Sequence, residues 1–289
     1  MERRSMRETF SLFKYLSPDK LVFFENQLVQ LTPPIYLNDP WDFLPKGRIP
    51  SEVEINRVWL EVERNVAQSS VLQLTVQSPL REQQERLEKF RADLASKECL
   101  ADQGRDYQNE IGKIVGIVSL TEQPLNRSMW AHYADSHKGF VAEFAAGNEG
   151  TAHGLTIRMC ALGPVAAAKV KYHPDFQEIS QNADNVQKIC WSKHPDWVGE
   201  QEWRIVWPLQ RSLTCTLRYA NRDEQIKRFC LPFAAQGLQR VIFGMRMEAG
   251  LKQRLCAMLA RNGFDHVQKQ VTDIDPHTGE MVLKPLAAL

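Results

Sequence analysis

The chain has no apolar run approaching the roughly 20 residues that a membrane-spanning helix needs. Its N-terminus, Met1-Glu2-Arg3-Arg4-Ser5-Met6-Arg7-Glu8, is charged with no apolar stretch after it, so no secretory signal is expected. It lacks charge of one sign: 36 Lys and Arg stand against 35 Asp and Glu, a net +1. Such a balance argues against wholesale binding of nucleic acid or anionic membrane, although a local basic groove is compatible with it. No C-x-x-C pair links the six cysteines, Cys99, Cys160, Cys190, Cys215, Cys230 and Cys256. In a chain this long, that spacing points to free thiols in a reducing cytoplasm rather than to a disulfide framework or a zinc site. The seven histidines are dispersed, so no metal centre is expected. There is no repeat, no low-complexity tract, no G-x-G-x-x-G and no phosphate-binding P-loop, which argues against a doubly wound nucleotide fold.

What the chain does have is a mixed pattern. Short strands are expected at Leu12–Leu16 and Leu21–Phe24, with a third at Leu28–Leu31. Ser51 and Glu54 form a capping box, and Ile55, Val58, Trp59, Val62 and Val66 follow at helical spacing. A second amphipathic helix is expected over Arg81–Lys97, with an exposed loop over Gln68–Ser78 between the two. The second half reads as strand-rich. Strands are expected at Ile114–Leu120, Gly139–Phe144, Val165–Tyr172, Trp203–Trp207 and Arg240–Phe243, and a hairpin joins Val267–Val271 to Met281–Leu283. Helices are expected at Asn126–Ala134, Glu178–Trp191, Asp223–Phe233 and Glu248–Asn262, the last stopped by Gly263. The class is α+β: mixed, largely antiparallel sheets with flanking helices, one domain over 1–289 with a helical insertion at about 50–110.

Four constellations could carry chemistry. In Glu200-Gln201-Glu202-Trp203-Arg204, a period of two places both acids and the base on one strand face. Such carboxylates can hold a ribose hydroxyl, stabilise a developing cation or act as a base. The plainer reading pairs them with Arg204, Lys193 or Lys188. Ser119-Leu120-Thr121 brings two hydroxyls to the end of a buried strand, where they could equally be turn chemistry. Met129-Trp130-Ala131-His132-Tyr133 offers stacking surfaces and a histidine that titrates near neutrality, or else a packed aromatic corner. Lys14-Tyr15 and Asn38-Asp39-Pro40 are each bland alone, an exposed strand lysine and a turn.

In chain order, these pieces resemble the bacterial domain-of-unknown-function 2971 family. The carriers are Phe13-Lys14-Tyr15-Leu16-Ser17, Asn38-Asp39-Pro40-Trp41-Asp42, Ser119-Leu120-Thr121, Met129-Trp130-Ala131-His132-Tyr133-Ala134 with Lys138-Gly139-Phe140, Trp197 with Glu200–Arg204, and Val241-Ile242-Phe243-Gly244. The resemblance implies a cytoplasmic protein, with some members found in phage-defence or toxin settings. More distantly, the order of a hydroxyl-bearing strand end, a short helix, a G-F strand and an E-x-E strand is similar to ADP-ribosyltransferases of the arginine/serine/glutamate type. That similarity implies NAD as ADP-ribosyl donor and a protein or nucleic-acid target, with an antitoxin or immunity partner. Carried over by residue, Glu202 is the catalytic glutamate, Glu200 the substrate-orienting acid and Ser119 the serine supporting NAD. His132 joins the catalytic candidates, and Lys14, Tyr15, Thr121, Tyr133 and Arg204 the cofactor-binding ones. Lys14 stands where that class has an arginine and supplies its charge without its bidentate fork. Two other readings compete: a nuclease-type hydrolase using His132, Asp39, Glu200 and Lys14, and a non-catalytic binding or sensor module in which Glu202–Arg204 is structural.

Overall fold

The structure is a computed structural model that describes residues 10–68, 80–147, 155–157, 165–175, 183–218 and 225–286. Among the described residues it is a mixed α+β fold with mostly antiparallel sheets. In chain order its elements are β1 (Phe10–Leu16), α1 (Leu21–Glu25), β2 (Leu28–Leu31), α2 (Glu52–Gln68), α3 (Leu80–Leu94), α4 (Lys97–Ile114), β3 (Val115–Thr121), α5 (Arg127–Tyr133) and β4 (Phe140–Gly147). Then come β5 (Leu155–Ile157), β6 (Val165–Lys169), β7 (Lys171–Tyr172), α6 (Ala183–Cys190), β8 (Ser192–Lys193) and β9 (Glu202–Pro208). The chain finishes with β10 (Leu213–Arg218), β11 (Gln225–Pro232), β12 (Leu238–Phe243), α7 (Ala249–Arg261), β13 (Gln268–Ile274) and β14 (Met281–Pro285).

Contacts divide the chain into two compact units. One comprises residues 1–42, 111–174 and 190–289, the other 43–110 and 175–189. The second unit is helical. Its capping box forms as expected: the Ser51 hydroxyl bonds the Glu54 carboxylate, Glu54 accepts from the Ser51 N–H at 2.8 Å, and Arg48 grips Glu54 through both guanidinium nitrogens. Ile55 is buried and Trp59 packs on Phe90 at 5.4 Å, but Val58 and Val62 are 40% and 38% exposed, so only part of the expected apolar stripe is covered.

The first unit holds a nine-stranded sheet in the order β1-β3-β9-β6-β5-β4-β12-β13-β14. β1 also pairs with β4 along its whole length, from Phe10↔Ala146 to Leu16↔Phe140, so the pairings β1-β3-β9-β6-β5-β4 return on themselves. The seam between β1 and β3 is narrow, a single register pair, Phe13↔Thr121. On the other side of β3, β9 pairs antiparallel from Thr121↔Glu202 through Ser119↔Arg204 to Val115↔Pro208. A second sheet, β10-β11-β2, meets the first where Thr32 and Ile117 exchange backbone hydrogen bonds of 2.9 and 2.8 Å. The core carries an aromatic cluster, Phe24, Phe140, Phe144, Phe233 and Phe264, with centroids 4.8–6.2 Å apart where they touch. Truncating such a ring costs roughly 3–5 kcal/mol, which makes Phe233→Ala the simplest way to break this half.

Several expectations are corrected. Leu21–Glu25 is a helix, not a strand: a four-residue apolar run fits either, and here Phe24 drops into the aromatic cluster. Residues 225–232 form β11 rather than a polar helix, because that segment is sandwiched between β10 and β2. α4, β5 and β10 were not anticipated. The expected loop over 68–78 lies almost wholly outside the described residues, as do Glu178–Asn182 of the expected helix there.

Two local features position the site. α5 starts as read, with the Asn126 side chain accepting from the Met129 N–H at 3.1 Å. It is followed by three successive left-handed residues, Asp135 (φ 45°), Ser136 (φ 52°) and His137 (φ 69°), a conformation that L-residues adopt reluctantly. Gly139 and Gly244 are required beside this turn: a Cβ on either would lie within 2.1 Å of a backbone carbonyl oxygen, that of Leu16 or of His137.

Candidate functional site

The E-x-E segment does not run as one strand. Glu200 ends a short 3-10 helix, Pro195–Glu200, and Gln201 turns left-handed (φ 43°) before β9 begins at Glu202. The expectation that Glu200, Glu202 and Arg204 alternate along one strand therefore fails for Glu200. All three still converge, because Lys193 on β8 reaches both acids, at 2.7 Å to Glu200 and 3.0 Å to Glu202.

Beneath the surface lies an ionic cluster. Arg204 is fully buried and donates to both Glu202 oxygens, at 2.8 and 3.0 Å. Its Nη2 also spans both oxygens of Asp42, at 2.8 and 2.9 Å, and its Nη1 donates to the Cys190 carbonyl at 3.0 Å. The Ser119 hydroxyl adds a further hydrogen bond to Glu202. Burial alone would raise the Glu202 pKa, but Arg204 and Lys193 outweigh it and hold the carboxyl at about 2. The same attraction overcomes the desolvation of Arg204 and of Lys193, and raises both. For Asp42, burial wins and the carboxyl is shifted up despite Arg204. The Trp197 ring closes over Lys193, with Nζ 4.8 Å from its centroid.

Against this cluster sits a cavity of about 60 Å³, lined among others by Lys14, Ser119, Tyr133, Glu200 and Glu202. Glu200 is the better exposed acid, its side chain 11% accessible against 4% for Glu202. Its second oxygen accepts from the Tyr133 hydroxyl at 2.6 Å, and Tyr133 in turn accepts from Asn38 at 3.0 Å. Burial and the neighbouring Glu200 both raise the Tyr133 pKa, so it stays a phenol. Lys14 enters from β1 and donates to the Ser119 carbonyl at 2.9 Å, with no carboxylate in ion-pair contact among the described residues. Burial lowers its pKa to about 8, against the partial support of Glu202. Asp42, Glu200 and Glu202 face Lys193 and Arg204, which leaves one negative charge that Lys14 balances when protonated.

The remaining candidates fall into two groups. Thr121 is buried and donates to the Glu200 carbonyl, while Tyr15 donates to the Gln123 carbonyl at 2.7 Å; both line the cavity and shape it. Arg204 never reaches the cavity and acts from below. His132 is exposed and absent from the cavity, lining instead a larger neighbouring groove of about 840 Å³. Asp39 is buried and accepts from the Trp41 N–H at 3.0 Å, so the four residues of the nuclease reading are not gathered in one place. Asp42 was read only as part of a turn, and Lys193 only as one partner that could neutralise the acids. The signal for Asp42 was its place in Asn38-Asp39-Pro40-Trp41-Asp42, which anchors the loop at both ends, Asn38 to Tyr133 and Asp42 to Arg204.

Among the described residues, no helix is long and apolar enough to cross a membrane, and no group of three or more His, Cys, Asp or Glu could hold a metal ion. Residues 129–205, from α5 through the E-x-E segment to β9, match a family described as a protein of unknown function (DUF2971). No curated protein and no solved structure matches the chain.

Proposed function

We propose that this cavity is the reacting end of an NAD-dependent ADP-ribosyltransferase, an effector or toxin acting on a macromolecular target in a phage-defence setting. The observation that carries the reading is that Lys14, Ser119 and Glu202 stand on three neighbouring strands, β1, β3 and β9, and line one cavity with Glu200 and Tyr133. The bond to break joins ribose C1′ to the nicotinamide nitrogen. Its electron pair leaves with the ring, which becomes neutral, and C1′ takes on oxocarbenium character. Ionised Glu202, held by Arg204 and Lys193, fixes a negative field in a poorly solvated place, where it favours that positive charge. Glu200 is the carboxylate with room to meet the ribose or to take the proton from the attacking acceptor atom. Lys14, which lines the cavity from β1, faces the diphosphate.

The fit has one requirement. A water needs roughly 10–15 Å³ of such volume, so 60 Å³ holds a few waters and not a pyridine ring. Tyr133 must swing away from Glu200 for nicotinamide to enter, which breaks the Asn38–Tyr133–Glu200 chain. The test is NAD turnover by the whole chain, followed as released nicotinamide. Glu200→Gln should lower it strongly while the fold survives; turnover equal to wild type would end the proposal.

The non-catalytic reading is favoured by a different observation: Glu202 is buried, ionised and saturated with partners. It expects no NAD consumption and no change of NAD affinity on Glu200→Gln, and isothermal titration separates the two readings.

A further inference from the structure

The groove that shares Lys14, Tyr15 and Tyr133 with the cavity is lined elsewhere by β2 and β11. Their register, Cys230↔Gln30 and Phe229↔Leu31, sets Gln30 and Arg228 diagonally on one face of the pair. Gln30 Oε1 and Arg228 Nε are both buried and have no hydrogen-bond partner among the described residues. Leaving such an atom unpaired costs about 1–3 kcal/mol, and more for a charged group. Both atoms are closed to solvent as they stand, so a ligand reaches this acceptor and charged donor when the two side chains turn outward into the groove, and that exchange relieves the cost of leaving them unpaired. Lys227, the preceding residue of β11 and so on the other face of the strand, also lines the groove and is exposed, and it and Arg228 have no ion pair among the described residues. Lys14, which also lines the groove, donates to the Ser119 carbonyl and has no ion pair among the described residues. Tyr36, also lining the groove, is 71% exposed, an aromatic face with nothing of the described chain upon it. Asp19 and Asp135 also line the groove, but each has a lysine beside it, Lys20 and Lys138, so the cations of Lys14, Lys227 and Arg228 are in excess; with an open ring and a donor–acceptor pair they suit a nucleotide strand: phosphate for the cations, a base to stack, a base edge to pair.

We infer that this groove binds single-stranded nucleic acid, with Lys227 and Arg228 on the phosphates, Tyr36 under a base and Gln30 accepting from a base amine. This deepens the transfer reading by naming its acceptor. It rests on that reading only for what the strand receives; the binding stands on the groove itself. Net charge near zero does not oppose it, because the footprint is local.

The test is fluorescence anisotropy of a labelled single strand of about 12 nucleotides, as RNA and as DNA, titrated with the whole chain between about 50 and 200 mM salt. The expected result is salt-sensitive binding. The pair Lys227→Glu and Arg228→Gln should weaken it about tenfold or more and flatten the salt slope by about one to two. Tyr36→Ala, a change at an exposed position, should weaken it severalfold, and Arg81→Ala, an exposed helical position that lines neither the cavity nor the groove, should bind as wild type. The inference is overturned by no binding, by equal binding of duplex, by equal competition from an acidic peptide, or by full displacement with NAD, which would make the groove the dinucleotide's own. Normal strand binding with no NAD consumption sinks the transfer reading and leaves this one standing.

Discussion

Two polar regions lie side by side in the same half of the molecule, and they are built on opposite terms. In the cluster under the cavity, Arg204, Lys193, Glu202 and Asp42 are buried and mutually paired. In the groove wall, Gln30 and Arg228 hold buried atoms without a hydrogen-bond partner among the described residues, and Lys227 has no ion pair among them. A saturated network fixes geometry and resists ligands, because any new partner must displace an old one. An unsaturated wall is paid for in stability and recovers that cost only when occupied. Under the proposed function the contrast divides the roles: the cluster holds the site in shape, and the groove and cavity meet what binds.

The largest expected effect breaks the cluster. Arg204→Met takes the guanidinium away from Glu202 and Asp42 and should cost roughly 3–5 kcal/mol, read as a shifted urea midpoint. A loss under about 1 kcal/mol would reduce the cluster to the value of surface pairs. The same network sets an acid limit. The folded pKa of Glu202, about 2, lies below its ordinary 4.5, so its contribution is complete above pH 4.5 and is lost as pH falls from there toward 2. Urea midpoints at successive acid pH values should fall more steeply for wild type than for Glu202→Gln. That variant is thus a poor probe of activity alone, since it also loosens the structure.

Next comes Glu200→Gln, expected to lower NAD turnover by about a hundredfold or more, the loss typical of one preorganised electrostatic group. Its midpoint should move far less than that of Arg204→Met. An equal stability loss with unchanged turnover would place Glu200 in the cluster rather than at the rim. A smaller effect comes from Lys14, whose folded pKa of about 8 lies below the free value of 10.5. Its charged form costs stability below pH 8, and that cost fades as pH rises toward 10.5. Ligand affinity should run the other way, weakening by up to about tenfold between pH 7 and 9 as the amine loses its proton. Lys14→Arg should abolish that limb, and a pH profile identical to wild type would show that Lys14 does not face the anion. The smallest effect is expected in the other unit: Arg81→Ala, which removes an exposed helical pair with Glu85, should stay within about 0.5 kcal/mol.

Much of this was legible in the sequence where the physics is local. The capping box at Ser51, the start of α5 at Asn126, the strand at Ile114–Leu120 and the stop at Gly263 are set by neighbours within a turn or two, and they stand close to where the pattern put them. The gathering of Lys14, Ser119, Tyr133, Glu200 and Glu202 was legible as an ordered set of motifs, although the bend at Gln201 was not, since a left-handed glutamine leaves no periodic trace. What stayed hidden is non-local. β11 was misread because its polar residues look helical until β2 and β10 flank it, and Asp42 and Lys193 gained meaning only when folding brought them to Arg204 and Glu202.

The turn after α5 has one more implication. Asp135, Ser136 and His137 reverse the handedness of the backbone for three residues, and none is glycine. Each such residue is penalised by about 1–2 kcal/mol in local chirality, so the corner persists only because bonds from Ser136, His137 and Gly139 back to Ala131, Trp130 and Ala134 overrule it. It works as a hinge pin of the wrong hand: a helix and a strand are locked at a fixed angle by a segment that would unwind if freed. Tyr133 ends that helix, so the side chain bonded to Glu200 is held by a corner whose own preference is to let go.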